Sequence, residues 1–221
     1  MHHMTDEQHI QDIAAQLSHP QGQKGLDMAA MMHDTNIAMT LHSLDHLQLA
    51  AQHKILELGH GNCAHLAQLL MRKPALHYTG LEISSLMQQE AIRLNQAAID
   101  NQQADFQTYD GTHLHFAAAQ FDRIFTVNTL YFWQQPLQLL TQLYQVLKPQ
   151  GIFNLTFADK SFMQQLPFTK YQFQLYDIEQ LKQLIAQTNF RIEAHYTAQD
   201  RVKNKLGVWV ERSFSTLCLS K

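Results

Sequence analysis

Residues 54–66, KILELGHGNCAHL, place a carboxylate, two glycines and a small residue in close succession. Ile55, Leu56 and Leu58 read as the seed of a strand. Gly59 and Gly61 let the backbone turn sharply and come close to a bound molecule. Two chemistries fit the spacing. Gly59, Gly61 and Ala64 match G-x-G-x-x-A, a dinucleotide fingerprint. Glu57, Gly59 and Gly61 match E-x-G-x-G, which suits a cofactor carrying a cationic sulfonium and an ammonium. A pyrophosphate at a helix N-terminus wants no anion beside it, so Glu57 argues against NAD. No lysine follows the glycines, which excludes a nucleoside triphosphate loop of the G-K-[ST] type.

The other strand candidates also end in polar groups. HYTGLEIS ends at Glu82, DFQTYDGT at Asp110-Gly111, and FDRIFTVNTLYFW at Asn128. Glu82 lies about 20 residues past the glycines, where a carboxylate can accept two hydrogen bonds from a ribose diol. NAD proteins use the same device, so Glu82 implies a ribose without choosing the cofactor. An acid at Asp110 can accept a hydrogen bond from an adenine amino group, with Gly111 allowing close approach. A plain Asp-Gly turn accounts for the same dipeptide.

Other constellations carry less. His42 and His46 share a helical face, but Ser43 stands where a zinc protease has glutamate. His113 and His115 form an H-x-H pair just past Asp110. No metal site is expected from either pair. The methionines at 28, 31, 32 and 39 read as packing or as part of a lid. Tyr131, Phe132 and Trp133 follow the fourth strand, and Phe162, Phe168, Tyr171, Phe173 and Tyr176 follow the fifth. Core packing and an apolar acceptor pocket share these aromatics between them.

The elements that must position these groups alternate from residue 54 onward. Strands are predicted at 54–58, 77–82, 105–109, 122–127, 151–157, 190–197 and 213–219. Helices are predicted at roughly 63–72, 85–100, 136–147 and 177–188. Strands separated by helices argue for a parallel α/β sheet covered on both faces. The last two strands have only AQDRVKNKLGVWVER between them, which predicts an antiparallel pair closing the sheet. The first fifty residues read as helical. Thr5 and Gln8 form a capping box, Pro20, Gly22 and Gly25 interrupt the pattern, and Asp34 or Thr35 caps a further helix. Residues 1–50 are therefore expected to form an N-terminal helical cap, and 51–221 the main domain.

The 221 residues, 45% of them hydrophobic, suffice for one core. A formal charge of −3 and the lack of any lysine or arginine run disfavour nucleic acid as a partner. No segment reaches the length of a membrane span, and two distant cysteines suit a reducing compartment. A cytoplasmic protein acting on a small molecule is expected, and monomer and homodimer both fit.

ILELGHGN, GLEIS, YDGT, FDRIFTVNTLYFW and VLKPQG, in that order, resemble the class I S-adenosylmethionine-dependent methyltransferases. The resemblance spans roughly residues 50–160 and is closest to the group that includes the ubiquinone and menaquinone C-methyltransferases. It implies a Rossmann-like α/β/α fold with a seven-stranded sheet and an antiparallel C-terminal hairpin. It implies that Glu57, Gly59, His60 and Gly61 form the loop under the methionine part of S-adenosyl-L-methionine. Glu82 and Ile83 would meet the ribose, Asp110, Gly111 and Thr112 the adenine, and Asn128 the sulfonium. By position, Tyr131, His33 and His60 are the candidates for a general base. Two departures stand out. Cys63 replaces the family's third glycine, and Gln150 replaces a glycine in the LKPGG turn. The implied activity is in-line methyl transfer to a small acceptor, with apolar or aromatic character suggested by the flanking residues. A non-catalytic protein that binds the same cofactor and an NAD-dependent oxidoreductase are the alternatives. Asn128-Thr129-Leu130-Tyr131 stands where amino-group methylases of nucleic acids carry an Asn/Asp-Pro-Pro-Tyr tetrad, which lowers the odds for that activity.

Overall fold

The computed structural model describes residues 5–203 and 208–221. Two helices lead, α1 (Asp6–Ser18) and α2 (Gly22–Asp45). Then follow β1 (Lys54–Leu58), α3 (Leu66–Leu70), β2 (His77–Glu82), α4 (Ser85–Leu94), α5 (Gln96–Asp100), β3 (Ala104–Thr108) and β4 (Phe121–Val127). The chain ends with α6 (Pro136–Val146), β5 (Leu147–Ala158), α7 (Lys160–Met163), α8 (Ile178–Ile185), β6 (Arg191–Lys203) and β7 (Trp209–Ser220).

The seven strands form one sheet in the order β3-β2-β1-β4-β5-β7-β6. β1 to β5 are mutually parallel, while β7 runs antiparallel to both β5 and β6. This is the Rossmann-like methyltransferase arrangement implied above. The order reverses beside β1, so the carboxyl ends of β1 and β4 open the crevice where ligands sit in such sheets. Apolar residues bury against both faces. Leu56, Leu58, Phe153 and Leu217 belong to one cluster and Ile55, Tyr78, Phe106 and Phe125 to the other. No described helix is long and apolar enough to cross a membrane.

Four local expectations need correction. α2 is one unbroken helix of 24 residues, with no fresh start at Asp34 or Thr35. Thr35 Oγ1 instead donates back to the Met31 and Met32 carbonyls, at 2.9 and 3.2 Å. Gly25 does not break the helix either. It lies where a Cβ would sit 2.9 Å from the Pro20 carbonyl carbon and 3.1 Å from Leu86 Cδ2, so glycine permits close packing there. The helix expected over 85–100 divides at Asn95, whose side chain donates to the carbonyls of Cys63 and Ala91 at 3.1 and 2.9 Å. The hairpin strands β6 and β7 run well past the expected 190–197 and 213–219, and residues 204–207 lie outside the described residues.

The capping box at Thr5 and Gln8 is present. Cys63 and Gln150, the two departures from glycine, both hold positive φ, 50° and 63°. They keep the conformation that glycine adopts without strain.

Candidate active site

The glycine turn follows β1 directly. Gly59 has φ 69°, and its N–H donates to the Leu81 carbonyl at 2.7 Å, tying the loop to β2. A Cβ on Gly59 would meet Thr129 Cγ2 at 2.3 Å, so only glycine fits. At Gly61, φ 56°, a Cβ would meet nothing within 4 Å. The outer side of this loop faces open space.

Glu82 is buried at the end of β2 and locks the loop in place. Its Oε2 accepts the Gly61 N–H at 3.0 Å, and its Oε1 accepts those of Ile83 and Ser84 at 2.8 and 3.2 Å. Burial pushes the Glu82 carboxyl up, while the three backbone donors pull it back. Glu57, also buried, sits in a polar cluster beneath the loop. Its Oε2 accepts from Tyr78 Oη at 2.5 Å and lies 2.9 Å from His65 Nε2. Cys63 Sγ donates to Tyr78 Oη at 3.2 Å. The donor atoms of Glu57, Cys63 and His65 lie within 4.8 Å of one another, a spacing open to metal ligation. The Tyr78 hydroxyl, bonded to two of the three, supplies the hydrogen bonds a metal would otherwise replace.

These groups line a cavity of about 280 Å³ that runs from the glycine loop to the N-terminal helices and the C-terminal hairpin. Of the residues singled out in the sequence, Glu57, Gly59, His60, Gly61, Glu82, Ile83, Gly111, Asn128, Tyr131 and His33 line it. Asp110 and Thr112 do not. The Asp110 carboxylate turns onto its own loop and accepts from the N–H groups of Thr112 and His113 at 2.8 and 2.7 Å. His113 Nδ1 lies 2.6 Å from its other oxygen. These bonds hold the Asp110 carboxyl far below its ordinary range. The turn reading of Asp110-Gly111 describes this geometry, and Tyr109 and Gly111 supply the wall instead.

The three candidate bases separate clearly. Tyr131 Oη donates to the Ala158 carbonyl at 3.0 Å and to Asn128 Oδ1 at 3.1 Å. Burial raises its pKa strongly, so it stays protonated and is a poor base. His60 is sealed under the loop, its Nδ1 2.7 Å from the Gly61 carbonyl and its Nε2 without a partner among the described residues. The ring rests where a Gly80 Cβ would touch His60 Cδ2 at 2.6 Å, so glycine on β2 makes its room. Burial drives the His60 pKa down to about 4. His33, on α2, is also lowered by burial and by nearby His65, and is therefore uncharged at neutral pH.

The His60 shift has a consequence for stability. The unfolded chain keeps the ordinary value of 6.5, so between pH 6.5 and 4 it binds more protons than the folded chain. Stability is full above that window and is lost as pH falls through it, by roughly 3 kcal/mol at most. His60→Ala should flatten the fall in urea-unfolding free energy between pH 7 and 4.5. An unchanged slope would refute the assignment.

Several cavity residues gave no sign in the sequence. His65 looked like any polar loop residue, and nothing local marked Asn36 or Arg212. Arg212, 5% exposed, reaches from β7 to α2. Its guanidinium pairs with both Asp200 oxygens, at 3.1 and 2.6 Å, and donates to the Thr35 carbonyl at 2.6 Å and Asn36 Oδ1 at 3.2 Å. Asn36 Oδ1 also accepts from Asn128 Nδ2 at 3.0 Å, linking the hairpin to the end of β4. Asn128 holds φ 58°, a left-handed turn that Asn tolerates. The far wall is apolar, built from Phe132, Phe162, Phe168 and Phe173 with Met31 and Met32. Phe132 and Phe173 pack edge to face at 4.7 Å. The His42 and His46 rings bond to Thr216 and the His42 carbonyl and help seat α2 on β7.

Residues 56–155 match the family model described as a methyltransferase domain. The chain carries a class I methyltransferase domain. The cofactor of that family is S-adenosylmethionine. No curated protein matches the sequence. Solved structures are similar in fold at low identity. One is a chain of the complex between the Haloferax volcanii Trm112 methyltransferase activator and a methyltransferase. It is 15% identical with a TM-score of 0.69, over 86% of this chain and 92% of that one. Another is the geranyl diphosphate C-methyltransferase of Streptomyces coelicolor, solved with S-adenosyl-L-homocysteine. It is 9% identical with a TM-score of 0.67, over 83% of this chain and 75% of that one. A third is SpnF, a 4+2 cyclase, 14% identical with a TM-score of 0.65, over 84% of this chain and 81% of that one. SpnF carries a different reaction name on the same fold, so the fold alone does not specify the chemistry.

Proposed function

We propose that this protein transfers a methyl group from S-adenosylmethionine to a small apolar or aromatic molecule. The observation that carries the reading is the continuity of one cavity, polar beside the glycine loop and lined with phenylalanine and methionine at its far end. When bound, the cofactor supplies a methyl group on a sulfonium, activated for displacement. The residues present fit such a group. The loop is open beyond Gly61, Glu82 offers carboxylate lone pairs suited to a ribose diol, and Glu57 brings negative charge for a cationic ligand.

In this reading Gly59, His60 and Gly61 hold the methionine end, Glu82 and Ile83 the ribose, and Tyr109 and Gly111 the adenine. Asp110 would reach an adenine amino group only after its bonds to His113 open. Asn128 stands at the sulfonium. The protein's main tasks are to align the acceptor and to exclude water. Where the acceptor must lose a proton, His33 is the base that remains, uncharged and on the cavity wall.

Residues 1–50 act as the lid and 51–221 as the catalytic body. Support comes from Leu17, Met31 and Met32 in the cavity wall and from Ser84 Oγ, which donates to the Pro20 carbonyl at 2.7 Å and fastens the α1–α2 turn to α4.

Calorimetric titration with S-adenosylhomocysteine, with NAD as control, tests the cofactor assignment. Binding of the first and not the second is expected. Transfer of radiolabelled methyl from S-adenosylmethionine to a panel of apolar and aromatic acceptors then tests turnover. Label should pass into organic-extractable product. Cofactor binding with no transfer to any acceptor would favour the regulatory alternative.

A further inference from the structure

The search for further chemistry leads to the pair formed by Glu57 and His65. It rests on the cofactor reading just given. In the family resemblance Glu57 is the acid that answers the cationic end of the cofactor. Here its Oε2 is already engaged twice, by Tyr78 Oη at 2.5 Å and by His65 Nε2 at 2.9 Å. Both partners are buried, and Cys63 closes the side away from the cavity through its bond to Tyr78.

The bond to a carboxylate oxygen settles which His65 nitrogen carries the proton. Nε2 donates to Glu57, so in the neutral ring Nδ1 holds the lone pair. Nδ1 has no hydrogen-bond partner among the described residues, and it is not among the sealed, unpaired polar atoms either. His65 is 5% exposed and lines the cavity beside Gly61, at the N-terminal end of α3. The arrangement is a carboxylate orienting an imidazole whose free nitrogen opens on the ligand space. With Glu57 ionised and His65 neutral, the pair carries one negative charge.

We propose that His65 Nδ1 accepts a hydrogen bond from the α-ammonium of the cofactor, with Glu57 fixing the ring and supplying the opposing charge. His65 is thus a binding residue for the aminoacyl end. An ammonium, with three donors and no acceptor, matches a lone pair backed by a carboxylate. A carboxylate would find no donor at this nitrogen.

The test uses two ligands that differ in that end. S-Adenosylhomocysteine carries the aminoacyl group, while 5′-methylthioadenosine keeps adenine, ribose and sulfur without it. Both are titrated calorimetrically into the wild-type chain, His65→Gln and His65→Ala. Glutamine keeps a donor for Glu57 but removes the nitrogen at the Nδ1 position. Both variants should lose affinity for S-adenosylhomocysteine by about tenfold or more, the scale of one charge-assisted hydrogen bond, and hold 5′-methylthioadenosine within about twofold. Equal losses for the two ligands would mean that His65 only shapes the loop and would overturn the proposal. So would recovery of full S-adenosylhomocysteine affinity in His65→Gln. Failure of the wild-type chain to bind either ligand is a separate result, which removes the cofactor reading itself and this inference with it.

Discussion

Replacing Arg212 with alanine is expected to destabilise the protein by about 3–5 kcal/mol, the usual result of breaking a buried ion pair from one side. The Arg212 and Asp200 side chains are only 6% and 12% exposed, so water cannot stand in for the lost partner. Asp200 would keep an unpaired charge, and the Thr35 carbonyl and Asn36 Oδ1 would lose their donors. The damage should not stay at the hairpin. Asn36 also accepts from Asn128, so α2 would loosen over the end of β4 and weaken cofactor binding as well. Urea unfolding measures the first effect. The double variant Arg212→Met with Asp200→Leu removes both charges and should recover most of the loss, because an apolar pair of similar volume often replaces a buried ion pair without penalty. A loss below about 1 kcal/mol for the single variant would mean that the pair behaves like an exposed one, contrary to its burial.

Glu82→Ala should reduce S-adenosylhomocysteine affinity by about 2–3 kcal/mol, on the order of 30- to 150-fold. The carboxylate has two jobs. It accepts the N–H groups of Gly61, Ile83 and Ser84, so it braces the loop, and it faces the ligand space with its remaining lone pairs. Removing it orphans three donors and takes away the acceptor for a ribose diol. Glu82→Gln separates the jobs in part, since the amide oxygen still accepts from the backbone while the charge is lost. It should fall between wild type and alanine. An affinity for Glu82→Ala within about twofold of wild type would end the ribose assignment.

What the sequence alone determined was the part of this protein that short-range rules govern. Hydrophobic runs bounded by turns located all seven strands, because a strand buried between helices must be apolar along its length. The absence of a helix before the last strand foretold the antiparallel pair. Glycines at 59 and 61 and acids at 57 and 82 announced the loop and its brace, since a turn and a strand end are local features. Tertiary structure decided what depends on neighbours remote in the chain. Asp110 could face a ligand or cap its own turn, and His113, which the fold leaves exposed beside it, holds it in the turn. Tyr131, His60 and His33 looked equivalent as bases until burial separated them. Arg212 finds Asp200 only because β6 and β7 pair, and it meets Thr35 and Asn36 from the opposite end of the chain. His65 lies eight residues from Glu57, yet only the turn at Gly59–Gly61 brings the ring back onto the carboxylate. A pKa, an ion pair or an oriented imidazole is set by dielectric and distance in space, and separation along the sequence carries neither.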